Sequence, residues 1–80
     1  MTRYIVRDTE TGLETLAEAE TRDEAMDQLK DLVAEALESY DATRIGYDPP
    51  MTWDEGMSLF EIFDTERNAV VWTNDSGWTR

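Results

Sequence analysis

The residues best placed to do chemistry in this chain are carboxylates. Glu24, Asp27, Asp31, Glu35 and Glu38 recur at steps of three and four. At about 100° per residue they fall within a sector about 80° wide on one side of a helix. Carboxylates can serve as a paired acid and base, ligate a hard cation, or meet the cations of a partner. The first use needs two of them set apart in a dry pocket; with 19 acids in 80 residues, proximity of two means little and nothing marks a pair. Nucleophilic catalysis needs a Ser, Thr or Cys beside a base. The serines are Ser39, Ser58 and Ser76, there is no histidine or cysteine, and Lys30 is the single lysine, so no ordinary triad can be built. Four isolated glycines form neither a dinucleotide fingerprint nor a phosphate-cradling loop. Asp8, Glu10 and Gly12 share the opening spacing of a calcium loop but lack its downstream bidentate glutamate and flanking helices. They read as a hairpin turn. The expectation is a non-enzymatic protein that uses no metal and no cofactor.

Charge narrows the class further. Seven basic residues against the acids leave a net charge of −12. That disfavours direct binding to nucleic acid or to an anionic membrane, both of which require neutralising Lys and Arg. No apolar run approaches the roughly 20 residues that span a bilayer. The opening MTRYIVRD has no apolar h-region and does not read as a signal peptide. A cytoplasmic location is expected. The charge is also unevenly placed: residues 1–7 carry +2, residues 8–41 carry −10 and residues 42–80 carry −4. Salt adaptation would acidify the whole surface, so this asymmetry favours a local reason.

The elements that must position these carboxylates can be read from periodicity. Eighty residues make one domain, 1–80, that buries about 60% of its unfolded surface. Arg3–Arg7 is a β-branched and aromatic strand. It runs into Asp8–Gly12, where glycine supplies the positive φ of a turn. Leu13–Glu18 returns as a second strand, with Leu13, Thr15 and Ala17 on one face, Glu14 and Glu18 on the other, and Leu16 out of pattern. The rival reading makes this segment the start of the helix, since Leu, Ala and Glu favour helices. Thr21 and Glu24 form a capping box, which places the helix start after it. Over residues 22–40, Ala25, Met26, Leu29, Leu32, Val33, Ala36, Leu37 and Tyr40 form one apolar stripe opposite the acids. Thr43–Tyr47 is a weaker strand candidate. Asp48–Gly56 reads as a loop around Pro49 and Pro50. Met57–Phe63 and Ala69–Thr73 read as strands joined by DTERN. That connector echoes the first turn, Asp8-Thr9-Glu10 against Asp64-Thr65-Glu66, with Asn68 able to take the left-handed conformation as Gly12 can. The final NDSGWTR reads as a turn and a loose end. The fold class is α+β: an antiparallel sheet of four to five strands with one amphipathic helix on one face, in the order β-β-α-(β)-β-β. One helix covers only part of such a sheet. Trp53, Met57, Trp72 and Trp78 either complete the core or form an aromatic patch for docking.

The acidic stripe works against helix stability. Each like-charged pair at i,i+3 or i,i+4 costs about 0.2–0.5 kcal/mol, and four successive pairs cost ~1–2 kcal/mol. Its steps correspond to about 4.5–6 Å of rise, close to the separation of phosphates along a nucleic-acid strand that carries one charge per 3.4 Å of axis. A rigid carboxylate row can therefore occupy Arg and Lys sites built for a nucleic-acid backbone. Glu14, Glu18 and Glu20, with Asp8 and Glu10, would widen that row. In its small size, its acidic TRDEAMDQLKDLVAEALES helix and its hairpin-rich remainder, the chain resembles phage-encoded inhibitors that mimic DNA, including anti-CRISPR proteins. The resemblance implies a partner that is a basic nucleic-acid-binding protein or CRISPR effector complex, whose DNA channel or PAM-reading groove is blocked. Two other readings use the same residues differently: a housekeeping domain of a salt-loving host, acidic for solubility, and an assembly module that forms a homodimer through strands or tryptophans.

Overall fold

Tyr4, Val6, Phe60 and Ile62 alternate with more exposed neighbours, and this period of two places them together on one face of an antiparallel sheet. The computed structural model describes residues 2–10, 14–43, 45–46 and 49–79. The elements run β1 Tyr4–Asp8, β2 Thr15–Ala19, α1 Arg22–Thr43, α2 Trp53–Met57, β3 Phe60–Asp64, β4 Ala69–Thr73 and β5 Gly77–Trp78. The five strands form one antiparallel sheet in the order β2-β1-β3-β4-β5. Helix α1 lies across β2, β1 and β3 on one face. Ala25, Leu29 and Val33 of α1 meet Tyr4, Val6, Ala19, Phe60, Ile62, Val71 and Trp72 of the sheet to form the core. The α+β expectation holds, with the helix between the two hairpins.

The two hairpins are built to the same pattern. β1 and β3 pair symmetrically about Val6 and Ile62, both fully buried. Each is followed by the same triplet. Asp8 Oδ1 accepts from the N–H of Glu10 at 2.7 Å, and Asp64 Oδ1 from the N–H groups of Glu66 at 2.9 Å and Arg67 at 3.3 Å. These aspartates hold their own turns. The N–H of Thr9 donates to Leu59 O at 3.0 Å and that of Thr65 to Arg3 O at 2.8 Å, so each triplet ties down the residue leading into the other strand. Asn68 takes the expected left-handed conformation, φ 54. Gly12, its counterpart, lies outside the described residues, as does Leu13.

Each hairpin also carries a bulge at the equivalent place. β2 gains Leu16 between Thr15, opposite Arg7, and Ala17, opposite Val6. β4 gains Val71 between Val70, opposite Phe63, and Trp72, opposite Ile62. An extra residue lets consecutive side chains face inward: Leu16 and Ala17 both pack on the core, and Val71 and Trp72 are both buried. This is why Leu16 breaks the alternation. It also separates Thr15, exposed opposite Arg7, from the face it was expected to share with Ala17.

Four local expectations are corrected. The described residues of Thr43–Tyr47 form no strand: α1 runs on through Thr43, whose Oγ1 donates to the carbonyls of Ser39 at 3.1 Å and Tyr40 at 3.2 Å, and Ile45 and Gly46 are irregular, while Arg44 and Tyr47 lie outside the described residues. The expected loop Asp48–Gly56 ends in helix α2, capped by Thr52 Oγ1, which accepts from the N–H of Glu55 at 3.1 Å. Thr52-x-x-Glu55 has the capping-box spacing of Thr21-x-x-Glu24, obscured by the adjacent prolines, though Glu55 Oε1 accepts from the Thr52 hydroxyl at 3.3 Å rather than from a backbone N–H. The third strand therefore begins at Phe60, because Met57 belongs to α2 and Ser58 and Leu59 to a turn. The tail is not loose: Gly77, at φ 68, bends it into β5, where Trp78 pairs with Trp72.

Helix α2 is fixed by close approach. A Cβ built on buried Gly56 would sit 2.7 Å from Val33 Cγ1. Val33 is itself fully buried. Gly56→Ala is therefore expected to destabilise the fold by about 1–3 kcal/mol through overpacking, against the ordinary helical preference for alanine; a denaturant titration measures it, and an unchanged midpoint would contradict the packing.

Asp64 supplies the second test. Its carboxylate is fully buried and accepts from Arg3 Nη2 at 3.3 Å. Arg3 Nε also lies 3.1 Å from Glu66 Oε2, though off the hydrogen-bonding line. Burial alone would push the Asp64 pKa up; the Arg3 hydrogen bond and the N–H groups of Arg67 and Glu66 outweigh it, and the pKa lies below its ordinary value. A depressed carboxylate pKa contributes stability that is complete above the ordinary value and lost as pH falls through the folded one. The stability gap between wild type and Asp64→Asn should be full at neutral pH and close in strong acid; urea midpoints against pH would show a constant gap if the ion pair contributed nothing.

Candidate partner-binding surface

Helix α1 positions the carboxylates by being held on its other side. Ala25, Leu29 and Val33 are fully buried against the sheet, so residues about 180° away must face solvent. Glu24, Asp27, Asp31, Glu35 and Glu38 are all exposed. They run for about 21 Å along the helix axis, at 1.5 Å per residue. Thr21 starts the helix as expected: its Oγ1 accepts from the N–H of Glu24 at 3.1 Å. Glu24 Oε2 reaches back to accept from the N–H of Glu20 at 3.4 Å, one residue earlier than an ideal capping box. Glu24 is thus partly engaged with the helix start.

The remaining predicted acids are not all on this surface. Glu20 sits exposed at the bend into α1, beside the first turn. Glu18 lies opposite Ile5 in β2, whereas its neighbours Ala17 and Ala19 lie opposite Val6 and Tyr4 on the helix-covered face. Its side chain therefore leaves from the opposite face of the sheet and does not widen the stripe. Glu14 is exposed just ahead of β2. Asp41, outside the expected helix end at Tyr40, is helical and exposed. It follows Glu38 by one three-residue step, about 60° to the side, which puts it about 40° outside the sector of the other five. The signal that could have found it was the unbroken run of helix-compatible residues Tyr40–Thr43.

The electrostatics of α1 favour one end. Asp23 and Glu24 lie in the first turn, and the last turn holds no basic residue. Acids suit the positive N-terminal pole and oppose the negative C-terminal one, so Glu38 and Asp41 sit where the helix disfavours them.

The uncovered face of the sheet carries an apolar row. Ile5, Phe63 and Val70 line up across β1, β3 and β4. Arg7 lies over the Phe63 ring at 4.3 Å and its Nη2 is 2.6 Å from Glu61 Oε2. The guanidinium thus covers the ring while its charge is matched. Trp72 is buried, and Met57 and Trp78 pack on the core; of the expected aromatic patch, Trp53 alone is exposed, at 46%.

Two clefts indent the surface. One, of about 290 Å³, is lined by Thr9, Ser58, Phe60, Thr73, Asn74, Asp75 and Ser76. Its polar groups hold the fold: Asn74 Nδ2 donates to Asp54 Oδ1 at 2.9 Å and Ser58 Oγ at 3.0 Å, and Thr73 Oγ1 accepts from the N–H of Ser76. The other, lined by Thr2, Arg3, Thr65 and Glu66, contains the Arg3 ion pairs. Among the described residues no three carboxylates converge to hold a metal ion. No helix among them is long and apolar enough to cross a membrane. The chain matches no protein-family model, no curated protein and no solved structure.

Asp31 has like-charged neighbours at Asp27 and Glu35 on this face. Asp31→Asn removes both repulsions and should stabilise the fold by ~0.4–1 kcal/mol at low ionic strength. The gain should shrink in molar salt, where the Debye length is about 3 Å. Paired denaturation curves at two salt concentrations measure it; a loss of stability would show that Asp31 has a favourable partner.

Proposed function

We propose that this protein is a non-enzymatic inhibitor that binds the basic nucleic-acid-binding surface of a protein complex, in the manner of DNA-mimic anti-CRISPR proteins. The observation that supports this reading is the row Glu24, Asp27, Asp31, Glu35 and Glu38, all exposed on one side of a helix whose other side buries Ala25, Leu29 and Val33. A carboxylate row held by a packed core meets a basic groove without first being ordered, so little conformational entropy is lost on binding. Electrostatic steering would speed the encounter, and affinity would fall with salt. The partner's Lys and Arg are those that otherwise hold a nucleic-acid backbone or read a PAM. On this reading the protein acts in the cytoplasm of a host cell and is phage-encoded.

A second reading has its own observation. Glu14, Glu18, Asp54, Glu55, Glu66 and Asp75 are exposed away from the stripe, as general acidification for a salt-loving host would produce. Circular dichroism separates the two: a salt-adapted domain requires molar salt to fold, whereas an inhibitor folds in ordinary buffer.

The decisive experiment is recovery of a partner from lysate on tagged protein. Low salt should retain a nucleic-acid-binding complex, and high salt or competing DNA should release it. Asp27→Lys combined with Asp31→Lys should reduce recovery at least about tenfold, the equivalent of ~1.4 kcal/mol, with helix content unchanged. Undiminished recovery would remove these residues from the interface.

A further inference from the structure

We infer that Trp53 of α2 is a binding platform for an arginine of the partner; this rests on the basic-partner reading above and names the side chain that reading leaves open. The chain shows the chemistry elsewhere. Arg3 lies 5.2 Å from the Tyr4 ring centre and is held by Asp64, and Arg7 lies 4.3 Å from that of Phe63 and is held by Glu61. Arg22 lies 5.1 Å from the Trp78 ring centre. In the first two, a flat guanidinium covers an aromatic face while a carboxylate takes its N–H groups. Trp53 has the ring, half-exposed, and the acids Asp54 and Glu55 in the same helical turn, both exposed. Among the described residues no cation lies over it. Trp53 thus offers a half-exposed ring on an acidic surface, with no described cation over it.

The platform is rigid. Thr52 caps α2, Gly56 seats it against Val33 and Leu37, and Asn74 Nδ2 holds Asp54 Oδ1 at 2.9 Å. Rigid, exposed aromatics are the side chains that carry most binding energy at protein surfaces. A net charge of −12 selects a cation over an apolar anchor. A guanidinium is selected over an ammonium because it is planar, stacks on indole, is less strongly hydrated and offers a fork of donors to a carboxylate.

The test uses two defined probes, nonaarginine and nonalysine, titrated against the full chain at low salt. Both carry the same charge, so the acidic surface draws both. Wild type should prefer nonaarginine, with a change in tryptophan emission, since Trp53 is the most exposed of the three indoles. Trp53→Ala should lower nonaarginine affinity at least about threefold, leave nonalysine nearly unchanged and so collapse the preference. Trp53→Phe should restore part of it. Asp27→Lys with Asp31→Lys should weaken both peptides and leave their ratio. Equal binding of the two peptides by wild type, or a preference that survives Trp53→Ala, would overturn the inference while the acidic-surface reading stands. Failure of both peptides to bind at low salt would overturn that reading and this inference with it.

Discussion

The pairing of β1 with β3 is the contact on which the rest of the molecule depends. It joins segments more than fifty residues apart in a single ladder, with Val6 and Ile62 buried at its centre. Until it forms, each hairpin is a two-stranded ribbon, marginal in water by itself. Once it forms, four strands present a continuous apolar face, and α1 has a surface wide enough to bury its stripe. The Asp-Thr-Glu triplets tie the ladder at both ends, each aspartate shaping its own turn and each threonine holding the chain that enters the other strand. The ordering of residues far apart in sequence is therefore secured by bonds at the ladder's ends as well as by burial along it.

A sheet with a single long helix has a face to spare, and its treatment here is electrostatic. Arg7 lies along Phe63 and is matched by Glu61 across the β1–β3 pair. The aliphatic stem and flat guanidinium of an arginine can cover apolar surface while its charge is satisfied at the rim. The dimerisation reading finds little support in the tryptophans, since Trp72 and Trp78 are committed to the core and its edge. The opposite side of the molecule is covered by α1, which carries seven of the 19 acids against Arg22 and Lys30.

That concentration sets stability against recognition. The buried side of α1 anchors it firmly enough for its outer side to carry carboxylates that repel one another, including Glu38 and Asp41 near a pole that disfavours them. A helix without that anchoring would have much less stability in reserve against the same repulsion, because most helical stability in proteins comes from packing of the apolar face. The arginines contribute to the same economy of surface: Arg3, Arg7 and Arg22 each lie over a ring of this chain, and Trp53 is the tryptophan left about half-exposed.

The α+β class, the main helix and its exposed acidic row were legible in the sequence, because period and capping are local properties: Thr21 and Glu24 mark a start, and Leu29 and Val33 mark the side that must be buried. The turn chemistry of Asp64 and Asn68 was legible for the same reason. Helix α2 was legible in principle from Thr52 and Glu55, but Pro49 and Pro50 supplied a competing local signal. What the tertiary structure alone decided is strand order, the two bulges and the side from which each edge acid departs. Alternation along β2 is broken at Leu16, and the register shift that resolves it is set by Arg7 and Val6 on the partner strand. The face taken by Glu18 therefore depends on pairing across the ladder. Local sequence determined that the acids on α1 share the open side of a helix, opposite its apolar stripe; only pairing within the assembled sheet decided that Glu18 lies elsewhere.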